Sequence, residues 1–422
     1  MEKRKYFIII FLIVNCQLSI VNCFAQLSIE ECYAKAQANY PLIKQYGLIE
    51  KSRDYNLSNA GKGYLPQITF SAKASYQSEV TEIPAFISLP PGVKGMSKDQ
   101  YGATLDINQV VWDGGTVKSR METVRTSSEM ETKSLEVDIY AINDRVNQLF
   151  FGVLLFDAQL EQNRLFREEL GRNYDKVLSC VQNGIANQAD VDAVKVEQLK
   201  AIQAKSQLTY QKSAYLDMLS ALTGETITAL AKPDEISFAD ISIQRPELQF
   251  FNAKINHLEA QNSELNASLK PKLGVFLTGG YGNPGLNMLK SGFSAYYIVG
   301  ARLTWNFGNF YSNQNNKQLI QNNINTVLTQ QETFLFNVNL DISKRQRELE
   351  KYRDQMKYDD EIIALRTSVK QASEAKMANG TLSGNDLMRD VHAEELAKQD
   401  KILHETELLL AMYSLKWTID KE

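Results

Sequence analysis

The sequence predicts a mostly α-helical chain with a small membrane β part. It reads as a duplicated unit built on very long helices, plus four strands per chain that close only with strands of other copies. Three observations carry this. Two long segments, 116–182 and 312–378, contain no proline and space their apolar residues as a heptad seam. Landmarks of the first half recur in the second in the same order. Four short segments alternate apolar and hydrophilic residues, which gives each a dry and a wet face.

Composition narrows the class before any element is placed. With 422 residues, 23% charged, 44% hydrophobic, 22 Gly and 9 Pro, the chain is neither collagen-like nor low-complexity nor a polytopic helical membrane protein. Lys plus Arg number 46 against 50 Asp plus Glu, and the only basic run lies in the first five residues, so nucleic acid is not an expected partner. That run, Lys3-Arg4-Lys5, precedes the apolar stretch Tyr6 to Val14, and Cys23-Phe24-Ala25-Gln26 offers a small-residue cleavage site. Residues 1–25 therefore read as a signal peptide, the apolar run being far short of the roughly 18 residues of a membrane span. Acylation of Cys23 is the alternative, but Asn22 stands where such sites take Gly, Ala or Ser. Beyond the leader only Cys32 and Cys180 remain, each inside a helical pattern, so both are expected to be buried apolar residues and not a disulfide.

The duplication sets the domain plan. Pro41-Leu42-Ile43 opens a helical stretch reaching Leu65-Pro66-Gln67, just as Pro246-Glu247-Leu248 opens one reaching Lys270-Pro271-Lys272. Leu105-Asp106-Ile107-Asn108 recurs as Leu303-Thr304-Trp305-Asn306, and Asn183-Gly184 followed by Asp190 recurs as Asn379-Gly380 followed by Asp386. The first repeat, 26–222, is expected to hold strands 64–80 and 100–112, a long helix 116–182 and a helix 187–222. A connector spans 223–245. The second repeat, 246–422, is expected to hold helix 246–269, strands 271–283 and 295–308, long helix 312–378 and helix 383–418. Leu135, Ile139, Ile142, Val146, Leu149, Val153, Phe156 and Leu160 form the seam of the first long helix; at 1.5 Å per residue each long helix would run about 100 Å. The shorter helices of each repeat sum to about the length of its long one, so two stacked end to end could flank it, giving four pillars per chain.

The strands carry the membrane signal. Ile68, Phe70, Ala72, Ala74 and Tyr76 alternate with Thr69, Ser71, Lys73 and Ser75, and Tyr297, Val299, Ala301, Leu303 and Trp305 alternate with Gly300, Arg302 and Thr304. Strands of about ten residues with aromatics at their ends fit a barrel in an outer membrane, with Tyr76, Trp112, Tyr296 and Trp305 as membrane-interface aromatics. A sheet in lipid must close to satisfy its backbone. Four strands cannot, so several chains must share one barrel. The loops 81–99 and 282–294, rich in Pro and Gly, suit extracellular hairpins.

This order of elements resembles the TolC family of outer-membrane efflux and secretion channels. The residues that carry the resemblance are Tyr64-Leu65-Pro66-Gln67 leading into a strand, Leu105-Asp106-Ile107-Asn108-Gln109 leading into Trp112-Asp113-Gly114-Gly115, and the paired Gly-to-Asp turns. The resemblance implies a homotrimer in the outer membrane of a Gram-negative bacterium, with a shared 12-strand β-barrel and a long-helix α-barrel crossing the periplasm. It also implies an inner-membrane transporter and a periplasmic adaptor (membrane fusion protein) as partners, and a passive duct gated at its helical tip. It would place Asp386, with Asp390 and Asp190, at the channel entrance. The second gate carboxylate of the family corresponds to Arg389, with Asp390 adjacent, while the arginine and aromatic that latch some members correspond to Leu382 and Met377. A bare helical reading makes Asp190 and Asp386 first-turn carboxylates favourable to the helix dipole, and Asn183 and Asn379 C-terminal caps. The competing reading, a periplasmic coiled-coil adaptor, expects one long hairpin where this chain has two, and lacks the four amphipathic strands.

No catalytic, cofactor or metal site is expected. His257, His392 and His404 lie on helical stretches rich in Glu, Lys and Asn without metal-ligand spacing and read as solvated face residues. Neither a nucleophile elbow nor a phosphate loop occurs.

Overall fold

The computed structural model describes residues 26–81, 96–238, 242–290 and 292–419. The expected leader with Cys23, most of the first hairpin loop, part of the connector and the chain end lie outside the described residues. In chain order the elements are α1 (Ile29–Asn39), α2 (Lys44–Gly61), β1 (Gln67–Tyr76), β2 (Asp99–Trp112), α3 (Thr116–Tyr140), α4 (Ile142–Gln182) and α5 (Gln188–Thr223). They continue with α6 (Pro246–Ser268), β3 (Lys272–Asn283), β4 (Ser294–Thr304), α7 (Asn309–Ala378) and α8 (Gly384–Ile419). They form two compact units. A sheet unit comprises Lys44–Leu135 and Glu247–Thr333; a helical unit comprises the chain up to Ile43, Glu136–Pro246 and the chain from Phe334 onward.

In the sheet unit the four strands pair antiparallel in the order β1-β2-β3-β4, leaving one edge of β1 and one of β4 open. The register carries the sequence alternation across the whole sheet. Ile68, Ile107, Leu277 and Val299 form one row, and Phe70, Leu105, Gly279 and Tyr297 the next on the same face. The opposite face holds Ser71, Thr104, Gly280 and Tyr296 in one row and Thr69, Asp106, Thr278 and Ile298 in another. The Thr278 hydroxyl donates to Asp106 across the strands.

The first strand is shorter than the 64–80 read from the sequence, because Lys62–Tyr64 form a 3-10 turn that Leu65 and Pro66 separate from β1. That turn is held by Gln109, whose side-chain amide donates to the Tyr64 carbonyl at 2.8 Å, and by the Tyr64 hydroxyl, which donates to Asp113 at 3.1 Å. The fourth strand ends at Thr304 rather than at 308. There the Trp305 indole N–H turns back to the Leu269 carbonyl at 2.9 Å and the Asn306 side chain accepts from the Gly308 N–H at 3.0 Å, starting α7 at Asn309.

Asp113-Gly114-Gly115 makes the strand-to-helix corner. The Asp113 carboxylate accepts from the backbone N–H of Gly115 at 2.8 Å and of Val117 at 2.6 Å, satisfying donors at the start of α3. Burial opposes ionisation of this carboxyl, yet these N–H groups and the Tyr64 hydroxyl outweigh it and hold its pKa below the ordinary value. Gly114 has φ +70°, and a Cβ there would lie 2.6 Å from the Lys270 side chain, so only glycine fits.

The first long helix, expected to run unbroken over 116–182, is interrupted at Ala141. The cause is an aromatic anchor in the helical unit. The Trp417 indole N–H donates to the Tyr140 carbonyl at 3.3 Å, drawing it from the helix ladder, while the Tyr140 hydroxyl donates to the Trp417 carbonyl at 2.7 Å. The Arg245 guanidinium covers both rings, 5.0 Å from Tyr140 and 4.6 Å from Trp417.

The core of the helical unit lies where α1 packs on α4 and α5, and α8 packs on both of those. Ser28 caps α1 in a capping box with Glu31. Its inner face (Ile29, Cys32, Ala36) is fully buried, as are Val146, Phe150 and Val153 of α4, Leu219 of α5 and Met412 of α8. Burial pushes the Cys32 thiol up to about 12, with Glu31 adding to the shift, so it stays an unreactive apolar group. Cys180 is only half-buried, contrary to expectation, because it sits in the last turn of α4.

Candidate functional site

Two places hold the residues singled out by the sequence: the apolar sheet face and the paired turns at the ends of α4 and α7. On the sheet the large side chains of the apolar rows are bare, with Ile68, Phe70 and Val299 each 66% to 70% exposed. A patch of this size is not a water-facing surface. Tyr76 ends β1 in the alternation of Phe70. Trp112 joins the same face by an irregularity: the register shifts between Val110 and Trp112, so that Trp112 stands opposite Leu273. Without that bulge it would point with Asn108 and Val110 to the other face. Trp305, just past β4, stays exposed and packs on Phe307 with ring centres 4.8 Å apart. Tyr296 corrects the expectation. It belongs to the hydrophilic row, and its ring lies over Gly280, where a Cβ would come within 2.3 Å. Period-two counting from Tyr297 puts Tyr296 on that face; end-of-strand aromatics alone do not.

At the two turns, Gly184 and Gly380 take φ +73° and +69°, and the side-chain amides of Asn183 and Asn379 each donate 2.9 Å to the carbonyl four residues earlier. Asp190 is the third residue of α5 and forms a capping box with Asn187. Its other oxygen accepts from the Gly384 N–H at 2.6 Å, so one buried carboxylate serves the starts of α5 and α8 together. A Cβ on Gly384 would lie 2.7 Å from the Asp190 Cβ. Gly384 is thus a site residue that sequence reading missed; the only signal was a glycine directly after the Ser383 cap.

Asp386 repeats the capping position. Its N–H donates to the Ser383 hydroxyl at 3.2 Å, the hydroxyl donates back at 2.7 Å, and Arg389 pairs with its carboxylate at 3.4 Å. Asp390 accepts from the Ser373 hydroxyl on α7 at 2.6 Å. The three carboxylates are therefore not gathered into one cluster within the chain. Beneath them lies an apolar core of Leu170, Val177, Val194, Met377, Leu387 and Val391, with Leu382 packed against it.

Replacing Asp190 by Ala removes one helix cap and the tie to Gly384, and is expected to destabilise the turns by about 1–2 kcal/mol. Hydrogen exchange should then accelerate at the 187–190 and 384–387 amides while the core of α4 is unchanged. Equal protection in both proteins would refute the tie.

Above this core is a layer of buried charge. Lys370 of α7 pairs with Glu169 of α4 and Glu394 of α8, and Glu394 also receives Lys398 at 3.2 Å and the Thr367 hydroxyl at 2.6 Å. Glu395, 3% exposed, accepts the side-chain amides of Gln162 and Gln399, at 2.7 and 2.9 Å. Burial raises its pKa above the ordinary carboxyl value. A group raised in the folded state contributes stability below its unfolded pKa and loses it as pH climbs through the folded one. Glu395→Gln should accordingly raise the melting temperature at neutral pH, and the gain should vanish as pH falls towards the unfolded value of 4.5. A gain independent of pH would show that packing, not ionisation, is responsible.

His392 is exposed, as expected of a solvated face, whereas His404 and His257 are half-buried and hydrogen-bonded to other helices. His404 lies 3.0 Å from the buried Asp359 carboxylate, and His257 bridges Thr126 and Gln261 at 3.2 and 3.0 Å. His392 lines a groove of about 430 Å³ along α4, α5 and α8, beside Glu395 and Arg389. Among the described residues no group of three His, Cys, Asp or Glu could hold a metal, and no helix is long and apolar enough to cross a membrane.

Long helices in two hairpins, joined to four antiparallel strands with one bare apolar face and two open edges, define the fold of an outer-membrane channel subunit. Solved structures share it over nearly the whole chain. CusC aligns with a TM-score of 0.70 at 13% identity over 93% of this chain and 92% of its own. VceC from Vibrio cholerae aligns at 0.67 and 11% identity, over 93% and 94%. The Campylobacter jejuni CmeC outer membrane channel aligns at 0.65 and 14%, over 93% and 85%. Residues 32–225 match the model of the outer membrane efflux protein family. No curated protein matches the chain in sequence.

Proposed function

We propose that the protein is the outer-membrane exit duct of a tripartite efflux or type I secretion system. Three copies share one 12-strand β-barrel and continue as a helical tunnel through the periplasm. A periplasmic adaptor and an inner-membrane transporter deliver cargo and supply the energy, and the duct itself does no catalysis. The carrying observation is the set of apolar rows that run unbroken across four strands and stop at two open edges. Such a sheet satisfies its backbone in lipid only by closing with other copies. The family match of residues 32–225 supports the same reading. In it residues 1–25 are the export signal, 26–222 and 246–422 the two repeats, and 223–245 the connector, while Tyr76, Trp112 and Trp305 sit at the membrane interface. Recovery of the mature protein in the outer-membrane fraction, with ion conductance in planar bilayers, is the expected result. A wholly soluble periplasmic protein would overturn the reading.

The tip turns serve as the entrance in this reading. Asp386, half-exposed and facing Arg389, is the carboxylate available to the pore, while Asp190 and Asp390 hold the turns in shape. Multivalent cations added from the periplasmic side should block the channel, and Asp386→Asn should weaken that block more than Asp390→Asn does. Unchanged block in Asp386→Asn would reduce this carboxylate to its capping role.

A further inference from the structure

The hairpin end of the sheet, away from the helices, carries a loop that is apolar where water-facing loops are polar. Residues 284–293 join β3 to β4, and their only charge is Lys290, set among Leu286, Met288, Leu289 and Phe293. Asn287 builds a tight turn there. Its side-chain oxygen accepts from the Leu289 N–H at 3.0 Å and its carbonyl from the Lys290 N–H at 3.2 Å, so Met288 and Leu289 are the two corners. Turn positions are dominated by Gly, Pro, Asn, Asp and Ser. A large apolar side chain at a corner has nothing of its own loop to pack against, and Leu286, Met288 and Leu289 are each 58% to 59% exposed.

The base of the loop shows which side of the sheet it joins. Ser294 pairs with Gly282, which stands in the row of Gly102 and Lys73 on the hydrophilic face, so alternation puts Phe293 on the apolar one. Its ring stacks on Tyr281 with centres 5.5 Å apart and on Tyr101 at 6.3 Å. Both tyrosines belong to apolar rows, Tyr281 with Ala72 and Ala103, Tyr101 with Ala74. The returning arm of the loop is therefore held over the bare apolar face and not over the hydrophilic one. We propose that this loop lies in the outer leaflet of the membrane, with Leu286, Met288 and Leu289 in the boundary between headgroups and acyl chains and Lys290 on lipid phosphates. This rests on the reading that the sheet is part of a membrane barrel. Apolar burial and attraction of a cation to anionic lipid act together in such an interfacial segment, and the rings of Tyr101 and Tyr281 suit the same depth. The Leu289 N–H is already met by Asn287, so the corner enters a poorly hydrated layer with that donor satisfied. So placed, the loop anchors the rim of the barrel at a fixed depth.

The test uses single cysteines labelled with an environment-sensitive dye, in a chain whose Cys32 and Cys180 are replaced by Ala. The oligomer is reconstituted into vesicles of phosphatidylcholine and phosphatidylglycerol. The positions are Leu289→Cys, Val299→Cys in mid-strand on the apolar face, and Ser71→Cys on the hydrophilic face. Lipids brominated high on their acyl chains should quench the Leu289 label most, lipids brominated near the chain ends should quench the Val299 label most, and neither should quench the Ser71 label. A Val299 label untouched by brominated lipid would remove the membrane barrel and the loop proposal with it. Quenching at Val299 with none at Leu289 would overturn the proposal and leave the barrel standing. A higher single-channel conductance in Leu286→Ser with Met288→Ser, beside an unquenched Leu289 label, would place the loop over the lumen instead. As a second readout, Lys290→Glu should reduce the quenching at Leu289 when phosphatidylglycerol is present. Equal quenching with and without that substitution would overturn the contact of Lys290 with lipid phosphate.

Discussion

Val299→Arg is expected to abolish the heat-resistant oligomer. Val299 stands midway along β4 in the row Ile68, Ile107, Leu277, Val299, all apolar and all on the bare face of the sheet. An arginine on the lipid face near the midplane costs about 2–4 kcal/mol, and in a shared barrel every copy carries it. Ala72→Arg, in the neighbouring part of the same face, should act likewise. Ser71→Arg and Thr304→Arg should be tolerated, because their face already carries Arg302, stacked 4.9 Å over the Phe276 ring, and Lys73. The measurement is the temperature at which the oligomer dissociates on semi-native gels. Equal heat resistance of all four variants would mean that the faces are assigned wrongly.

The faces of the sheet were legible in the sequence because strand alternation is a local property with period two, and the hydrogen-bonded register preserves it from β1 to β4. Trp112 shows where locality ends. Its side changes through a bulge at Val111 that depends on β3, so counting along β2 alone would misplace it. The heptad seam of the first long helix was equally legible, while its interruption at Ala141 was not. That break comes from Trp417, far away in sequence, pulling on the Tyr140 carbonyl.

The tip shows the same division. Repetition of the turns exposed Asp190 and Asp386 as equivalent positions, and both are third residues of capping boxes or their like. What repetition could not reveal is that Asp190 also holds the start of α8, since this requires Gly384 to come against it from the other repeat. His404 read as a surface residue for a related reason: its partner Asp359 lies on a different helix.

The buried charge layer gives the second large effect. Lys370→Met should destabilise the helical unit by about 3–5 kcal/mol at neutral pH, because it takes from Glu169 and the almost fully buried Glu394 the lysine they share. Burial alone would lower the Lys370 pKa, but its hydrogen bonds to Glu169 and Glu394 outweigh this and hold it above the ordinary lysine value. Its contribution is thus complete at neutral pH and is lost only as pH rises through that raised value. For Glu394, burial acts to raise the pKa, and Lys370, Thr367 and Lys398 together bring it below the ordinary 4.5. Its contribution is present above 4.5 and disappears as pH falls through the depressed folded value. In Lys370→Met only Lys398 remains beside Glu394, so protonation of Glu394 becomes a relief, and the deficit against wild type should shrink as pH approaches 4.5. Replacing all three residues together, with Lys370→Met, Glu169→Leu and Glu394→Leu, should recover most of the loss, because it removes both carboxylates with the lysine between them and leaves only Lys398, the most exposed member of the layer, to turn to water. Melting curves by circular dichroism at two pH values decide the matter. A single variant as stable as wild type, or a triple variant no better than the single one, would show that the layer is not held by its charges.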